Sequence, residues 1–365
     1  MKKIIVIISL LIFPLLSCFD GYNNQKNGSL KMMLYVINGT TVSGYSINPK
    51  TGKLKFVNTV NTGANPNSIK SDPSGRFVYV TNSGSNSISG YAIDPEDGLL
   101  TSLQGSPFTA GNGTSQPNSL SIHTNGKYLY VTNYQSGAGS IEVFDINSST
   151  GGLTTVCTYA AAPDTNVNCI DTYGHFFYNV EPGGIGVRQY PVNSETGLLG
   201  SGVFYGGGGL AFITFVTIEP LSRFIYIVDI NGVFVSIINS STGAFSTPVL
   251  QTASQNIYGN RIVFNPNGEY AYVQNVVVDS ISVYKINSST GALTQIPGSP
   301  YSAGTGLHSA VVDPSGKFVY ASNATDNTVS LYKRKSSTGA LTFVQNMNIA
   351  NTPSFMNIVV LPCPD

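Results

Sequence analysis

Seven glycines constrain this chain more than any other feature. Gly52, Gly98, Gly151, Gly197, Gly243, Gly291 and Gly339 are each preceded by Thr or Asp, and each leads into a short apolar run. A regular recurrence held along the whole chain means one structural unit copied seven times. Such a unit cannot bury its own apolar face and must stack on its neighbours.

A second ladder runs in the same register: Tyr35, Tyr79, Tyr130, Tyr178, Tyr226, Tyr272 and Tyr320, inside runs such as Phe77-Val78-Tyr79-Val80-Thr81-Asn82. Most of these runs follow a turn such as Asp72-Pro73-Ser74-Gly75 or Asp313-Pro314-Ser315-Gly316. Period-two alternation, β-branched and aromatic enrichment and frequent Gly/Asn/Asp/Pro turns read as strands. Past residue 16 no window sustains a helical period. Four short strands in each of seven units predict an all-β fold, a seven-bladed β-propeller of antiparallel four-stranded blades. The first unit opens at Met32-Met33-Leu34-Tyr35 without its first strand, and Pro353 to Leu361 follows the last unit as a surplus strand. The ring is therefore expected to close by the C-terminal strand joining the first blade, which removes two unpaired edges.

The N-terminus reads differently. Lys2 and Lys3 precede an apolar stretch from Ile4 to Leu16, then Ser17-Cys18. A charged start and a short apolar segment form a secretory signal, and the stretch is too short to span a bilayer comfortably. Leu15-Leu16-Ser17-Cys18 resembles the lipobox of bacterial lipoproteins, whose cysteine becomes the lipidated first residue. The expected organisation is a signal peptide over 1–17, a lipidated Cys18 with a tether to residue 30, and the propeller over 31–365. This implies an extracytoplasmic, lipid-anchored protein of the cell envelope, at the outer membrane or cell surface rather than the inner membrane, with the membrane as one partner.

Only 10% of residues are charged and the formal net charge is zero, with no basic stripe. Nucleic acid is not an expected partner, and a monomer is expected. Cys157, Cys169 and Cys363 remain after Cys18, so at least one is free outside the cytosol. A Cys157–Cys169 bridge fits the strand positions poorly, and all three are expected to be small buried hydrophobes.

Register assigns residues to the two ends of the central channel. Counted from the turn glycine, the residue after it and the one three before it place opposite charges together, as in Arg76 with Asp72 and Arg223 with Glu219. The expectation for this end is a solvated rim of weak surface pairs. The other end collects Asn67, Asn118, Asn166, Thr214, Asn260 and His308 at the opening of the inner strands. It also collects Asn82, Asn133, Glu181, Asp229, Asn275 and Asn323 at the end of the second strands. Convergent polar groups of this kind mark small-molecule sites, whereas asparagines at strand ends also satisfy backbone groups.

Departures from the repeat single out candidates. Glu181 and Asp229 replace Asn in adjacent blades, and either work as acid and base, hold a divalent cation, or are hydrogen-bonded strand-end residues. The glycines at 183, 184 and 186 and at 206–209 form no phosphate loop, because no helix follows. His308 lacks a nearby second ligand, so zinc is not expected. Arg261 in the neighbouring blade is suited to clamping an anion.

The Tyr79-Val80-Thr81-Asn82 and Tyr130-Val131-Thr132-Asn133 runs are those of YVTN-type repeats. With Asp313-Pro314-Ser315-Gly316-Lys317-Phe318-Val319-Tyr320, Gly298-Ser299-Pro300-Tyr301 and Ser289-Thr290-Gly291-Ala292-Leu293, the chain resembles the lactonase-like seven-bladed propeller family, which includes a bacterial 6-phosphogluconolactonase. The resemblance implies a His-Ser pair opening an inner strand, similar to His308-Ser309. It also implies a Pro-Arg-His opening followed by Asn-Glu. Here those positions read Gly259-Asn260-Arg261 and Asn275-Val276, so the histidine and glutamate positions hold Arg261 and Val276. The expectation that follows is a binding or interaction module with an unknown small-molecule or protein ligand, no required cofactor, and Asn118, Asn166, Asn260, Arg261 and His308 as contacts. The alternative is a lactone or carboxylic ester hydrolase with Glu181, Asp229 and His308 as catalytic groups.

Overall fold

The computed structural model describes residues 31–111, 116–135, 139–161, 167–181, 185–253 and 261–362. The leader with Cys18, and Asn166, Asn260 and Cys363, lie outside the described residues. Among the described residues every regular element is a strand, and the strands form seven separate antiparallel sheets. The innermost strand of blade 1 is Pro353–Val360, paired with Met32–Asn38, so the C-terminal strand closes the ring as expected. The innermost strands of blades 2 to 7 are Pro66–Ser71, Gln116–Ile122, Asn168–Ile170, Ile213–Ile218, Arg261–Phe264 and Leu307–Val312. In blades 2 and 6 the outermost strand is broken into two short pieces that pair with the same third strand.

The two sequence ladders turn out to be two halves of one contact. Each tyrosine hydroxyl donates to the carbonyl of the ladder glycine in the next blade: Tyr35 to Gly98 at 2.8 Å, Tyr79 to Gly151 at 2.7 Å, Tyr178 to Gly243 at 2.8 Å. The series continues around the ring to Tyr320 and Gly52 at 2.7 Å, across the closure. These tyrosines are fully buried, so the hydroxyl needs that partner. The glycine is required twice over. Gly243 has φ of 68°, and a Cβ there would lie 2.4 Å from the Phe176 ring of the preceding blade. Between neighbouring blades lie apolar clusters such as Met32, Leu34 and Val36 against Phe318, Tyr320 and Leu331 at the closure seam.

The charged turns differ from the expected solvated rim. Asp72, His123, Asp171, Glu219, Asn265 and Asp313 are all buried. Their side chains cap the strand that follows: Asp72 Oδ1 accepts from the amides of Arg76 and Phe77 at 2.7 Å, and Asp313 Oδ1 accepts from Phe318 at 2.7 Å. Sequence proximity of opposite charges suggested surface pairs. The geometry instead folds the acidic member inward, because the strand-opening amides need an acceptor. His123 instead donates across to the neighbouring blade, its Nε2 lying 2.9 Å from the Gly174 carbonyl.

Candidate functional site

Along each innermost strand, side chains alternate between the seam and the channel. Residues paired with the ladder tyrosines form one channel-facing layer: Lys70, Ser121, Cys169, Thr217, Val263, Val311 and Asn357. Two residues nearer the strand opening lies the layer that includes Ser68, Ser119, Phe215, Arg261, Ser309 and Phe355. Between them, Ile69, Leu120, Val216, Ile262 and Met356 are buried in the seams. The channel encloses about 360 Å³ lined by both layers.

At its mouth, four side chains from different blades meet. The Arg261 guanidinium lies 4.3 Å from the Phe355 ring centroid and 5.2 Å from that of Phe215. The His308 ring stands edge-on to Phe355 at 4.6 Å. Cation–π contact of this kind favours a partly desolvated cation, and burial lowers the Arg261 pKa to about 10. Burial and then the Arg261 charge lower His308 to about 4, so its imidazole is neutral at neutral pH. Its Nδ1 is buried without a hydrogen-bond partner among the described residues. Gln274, paired in register with Arg261, is likewise buried with neither amide atom partnered. The expected neighbours Arg261 and His308 are thus brought together.

The carboxylates lie elsewhere and are engaged within their own blades. Glu181 is gripped by Arg188, with Nε to Oε1 at 2.6 Å and Nη2 to Oε2 at 3.1 Å. Asp229 Oδ1 accepts from the amides of Asn231 at 2.6 Å and Gly232 at 3.1 Å, and its Oδ2 accepts from Ala211 at 3.0 Å. Neither lines the channel. Asn118 lies 2.6 Å from the Asn67 amide. The strand-end asparagines bond hydroxyls on the next strand, Asn82 to Ser89 at 3.0 Å and Asn323 to Ser330 at 2.8 Å. Among the described residues no three His, Cys, Asp or Glu side chains gather as metal ligands do. Cys157 and Cys169 are unbridged, and both are half-buried rather than fully buried as expected. Cys169 faces the channel, where adjacent free volume replaces the tight packing of a seam.

Three residues escaped the sequence reading, and each had a signal. Arg188 occupies the repeat position of Ser89, Ser282 and Ser330, so blade 4 replaces an Asn–Ser pair by a Glu–Arg pair. Gln274 stands where other blades carry Thr81, Thr132 or Ser322. Lys70 is the charged member of its layer.

The family described as Lactonase, 7-bladed beta-propeller matches residues 33–115 and 213–359. The chain belongs to this family. A 6-phosphogluconolactonase of Blochmanniella pennsylvanica is 40% identical over 72 residues, a stretch that is 20% of this chain and 21% of that protein. Among solved structures, a putative 6-phosphogluconolactonase from Bacteroides uniformis superposes with a TM-score of 0.78 at 18% identity, covering 91% of this chain and 100% of that one. The periplasmic gluconolactonase of Pseudomonas aeruginosa gives 0.74 at 20% identity, covering 92% and 100%. At these identities the structures share the fold. Membership of the lactonase family favours the hydrolytic alternative over the binding-module expectation.

Proposed function

We propose that this protein hydrolyses a lactone at the channel mouth, with Arg261 as the carbonyl and oxyanion ligand and His308 as the base. The observation that carries this reading is that the Arg261 guanidinium, with no carboxylate partner among the described residues, shares the Phe355 ring with an imidazole whose Nδ1 is unpartnered among them. In the proposed step the neutral imidazole accepts a proton from water as that water adds to the lactone carbonyl. Arg261 stabilises the developing oxyanion, and the low-dielectric site strengthens that contact. Collapse of the tetrahedral intermediate breaks the ring C–O bond, and the imidazolium returns its proton to the departing alkoxide. The product is a hydroxy acid whose new carboxylate faces Arg261. Negative charge on that oxygen offsets the Arg261 field, so the His308 pKa rises from about 4 as the reaction proceeds.

Glu181 and Asp229 hold structural contacts in this reading, and no divalent cation is assigned to them. The lipid anchor on Cys18, with an envelope location and a monomeric state, remains part of the same proposal and rests on the signal and lipobox pattern. The test is turnover of a panel of γ- and δ-lactones by the mature chain beside His308→Gln. Loss of about 10²-fold or more in the variant is expected for removal of a general base. The acid limb of kcat/KM reports His308 in the free protein and should lie near pH 4. Turnover unchanged in His308→Gln, or none by the wild-type chain across the panel, would overturn the reading.

A further inference from the structure

At the end of the ring opposite the channel mouth, blades 7 and 1 meet at the closure seam and show solvent one sign of charge. Lys50 and Lys53 lie in the turn between Thr41–Ile47 and Leu54–Asn61 of blade 1, and Lys55 is the second residue of the latter strand. In blade 7, Lys317 precedes the strand Phe318–Asn323, Lys333 is paired with Phe318, and Lys335 follows the strand Thr328–Arg334. The two sets are neighbours. The Tyr320 hydroxyl donates to the Gly52 carbonyl across the seam, and a Cβ on Gly52 would lie 2.6 Å from the Phe318 ring. These lysines are all exposed, and none belongs to an ion pair among the described residues. They come from the two ends of the propeller's sequence, so the patch exists only once the ring has closed.

Among the described residues, these two blades carry no exposed carboxylate at this end. Asp313 is buried as a strand cap, and Asp326 lies at the mouth end, where it accepts from the Thr305 amide at 2.7 Å. Blade 2 differs, with exposed Asp94, Glu96 and Asp97 in the turn equivalent to that of Lys50 and Lys53. The patch ends there, where Glu96 pairs with Lys31 at 3.4 Å. On the other side it ends at exposed Glu269 of blade 6.

A second feature is confined to the same two blades. Counted from this end, the third residue of the outermost strand is Phe56 in blade 1 and Phe343 in blade 7, 57% and 54% exposed. Register places Ser102, Thr155 and Gln295 there in blades 2, 3 and 6. Each ring stands edge-on to a tyrosine of the third strand, Tyr45 at 5.7 Å and Tyr332 at 5.8 Å. Lysines flanked by exposed aromatic rings suit an anionic lipid interface, with the cations on the headgroups and the rings at the acyl boundary. A soluble polyanion would use the lysines and leave both rings in water. The chain before the propeller joins it at this end too, because Lys31 precedes Met32–Asn38, whose last residue lies at the mouth end.

We propose that the closure-seam face of blades 7 and 1 docks on an anionic lipid bilayer through these lysines, Phe56 and Phe343, which turns the channel mouth away from the membrane. The inference gives the proposed anchor on Cys18 an orientation but does not need it, and it is independent of hydrolysis. The patch binds a bilayer with no acyl chain attached.

The test uses residues 18–365 with Cys18→Ser, and vesicles of phosphatidylcholine alone or mixed in equal parts with phosphatidylglycerol. Co-sedimentation should be about 10-fold or more stronger on the anionic vesicles, and Lys50→Gln/Lys53→Gln/Lys55→Gln should remove most of that gain. The chain has no tryptophan, so Phe56→Trp and Phe343→Trp each report their own surroundings. Their emission should move to the blue on anionic vesicles. Emission from Val278→Trp, 69% exposed on the mouth-side hairpin of blade 6, should not move. Thermal melting checks that each variant is folded. Equal binding to both vesicle types, or a gain that survives in the lysine variant, would overturn the proposal. So would unmoved emission at Phe56→Trp and Phe343→Trp, the mark of bare attraction to any polyanion, or a blue shift at Val278→Trp.

Discussion

The blade seams and the channel wall are built from the same strands and treat polar groups in opposite ways. In the seams each ladder tyrosine meets a glycine carbonyl, and each buried turn acid accepts strand amides. On the channel wall Lys70 and Arg261 form no ion pair among the described residues, and the Gln274 amide there and His308 Nδ1 at the mouth have no hydrogen-bond partner among them. Burial of an unpartnered polar group costs stability unless a ligand or water meets it. The comparison also sorts the departures from the repeat. Glu181 and Asp229 depart from asparagine but bring their own partners, whereas Arg261 and His308 depart without them.

The largest effect should come from breaking a seam where glycine is needed twice. Gly243→Ala forces a Cβ to within 2.4 Å of the Phe176 ring at a φ of 68°. Backbone strain plus overpacking should cost about 3 kcal/mol, read by chemical denaturation. A loss under about 1 kcal/mol would mean that the blades can slide to accommodate it.

Arg188→Met comes next, because it strands a Glu181 carboxylate that is only 8% exposed. The expected destabilisation is about 2 kcal/mol, reduced from the fully buried case because Arg188 is partly exposed. Adding Glu181→Gln should restore most of it. No recovery in the double variant would show that Arg188 acts through packing on Phe204, which lies 5.7 Å from its guanidinium carbon.

The channel wall predicts a pH effect of opposite character. His308 is lowered in the folded state from 6.5 to about 4. The unfolded chain therefore binds the proton more readily between those values, and stability falls as pH drops from about 6.5 towards 4 and levels off below. The loss should be on the order of 2 kcal/mol, and His308→Gln should flatten that part of the curve. An unchanged slope in the variant would place the titration elsewhere.

The smallest effect is expected from a single seam bond. Tyr226→Phe removes the 2.7 Å bond to the Gly291 carbonyl. A cost of about 1–2 kcal/mol follows from leaving a buried acceptor unmet. A neutral result would show that the ladder is held by ring packing alone.

Much of the fold was legible because its determinants are local and repeated. Turn glycines, ladder tyrosines and the missing first strand each announce themselves within a few residues. That Tyr79 serves Gly151 was not legible, because the bond joins different blades and depends on their stacking. At the site, Arg261 and His308 stood out as departures at strand openings. Lys70 did not, because its layer lies two residues deeper and its chemistry emerges only when seven strands surround one channel. Arg188 was hidden for a related reason: its meaning depends on Glu181 across the hairpin.

The most direct test of the account compares Arg261→Met with the Glu181→Gln/Arg188→Met double variant, measuring lactone kcat/KM and Tm on the same preparations. The account predicts that Arg261→Met keeps its Tm and loses about 10²-fold or more in kcat/KM, as expected for removal of an oxyanion ligand. The double variant should keep turnover close to that of the wild-type chain. Turnover that survives in Arg261→Met and disappears in the double variant would contradict it, and would return the chemistry to the paired carboxylate.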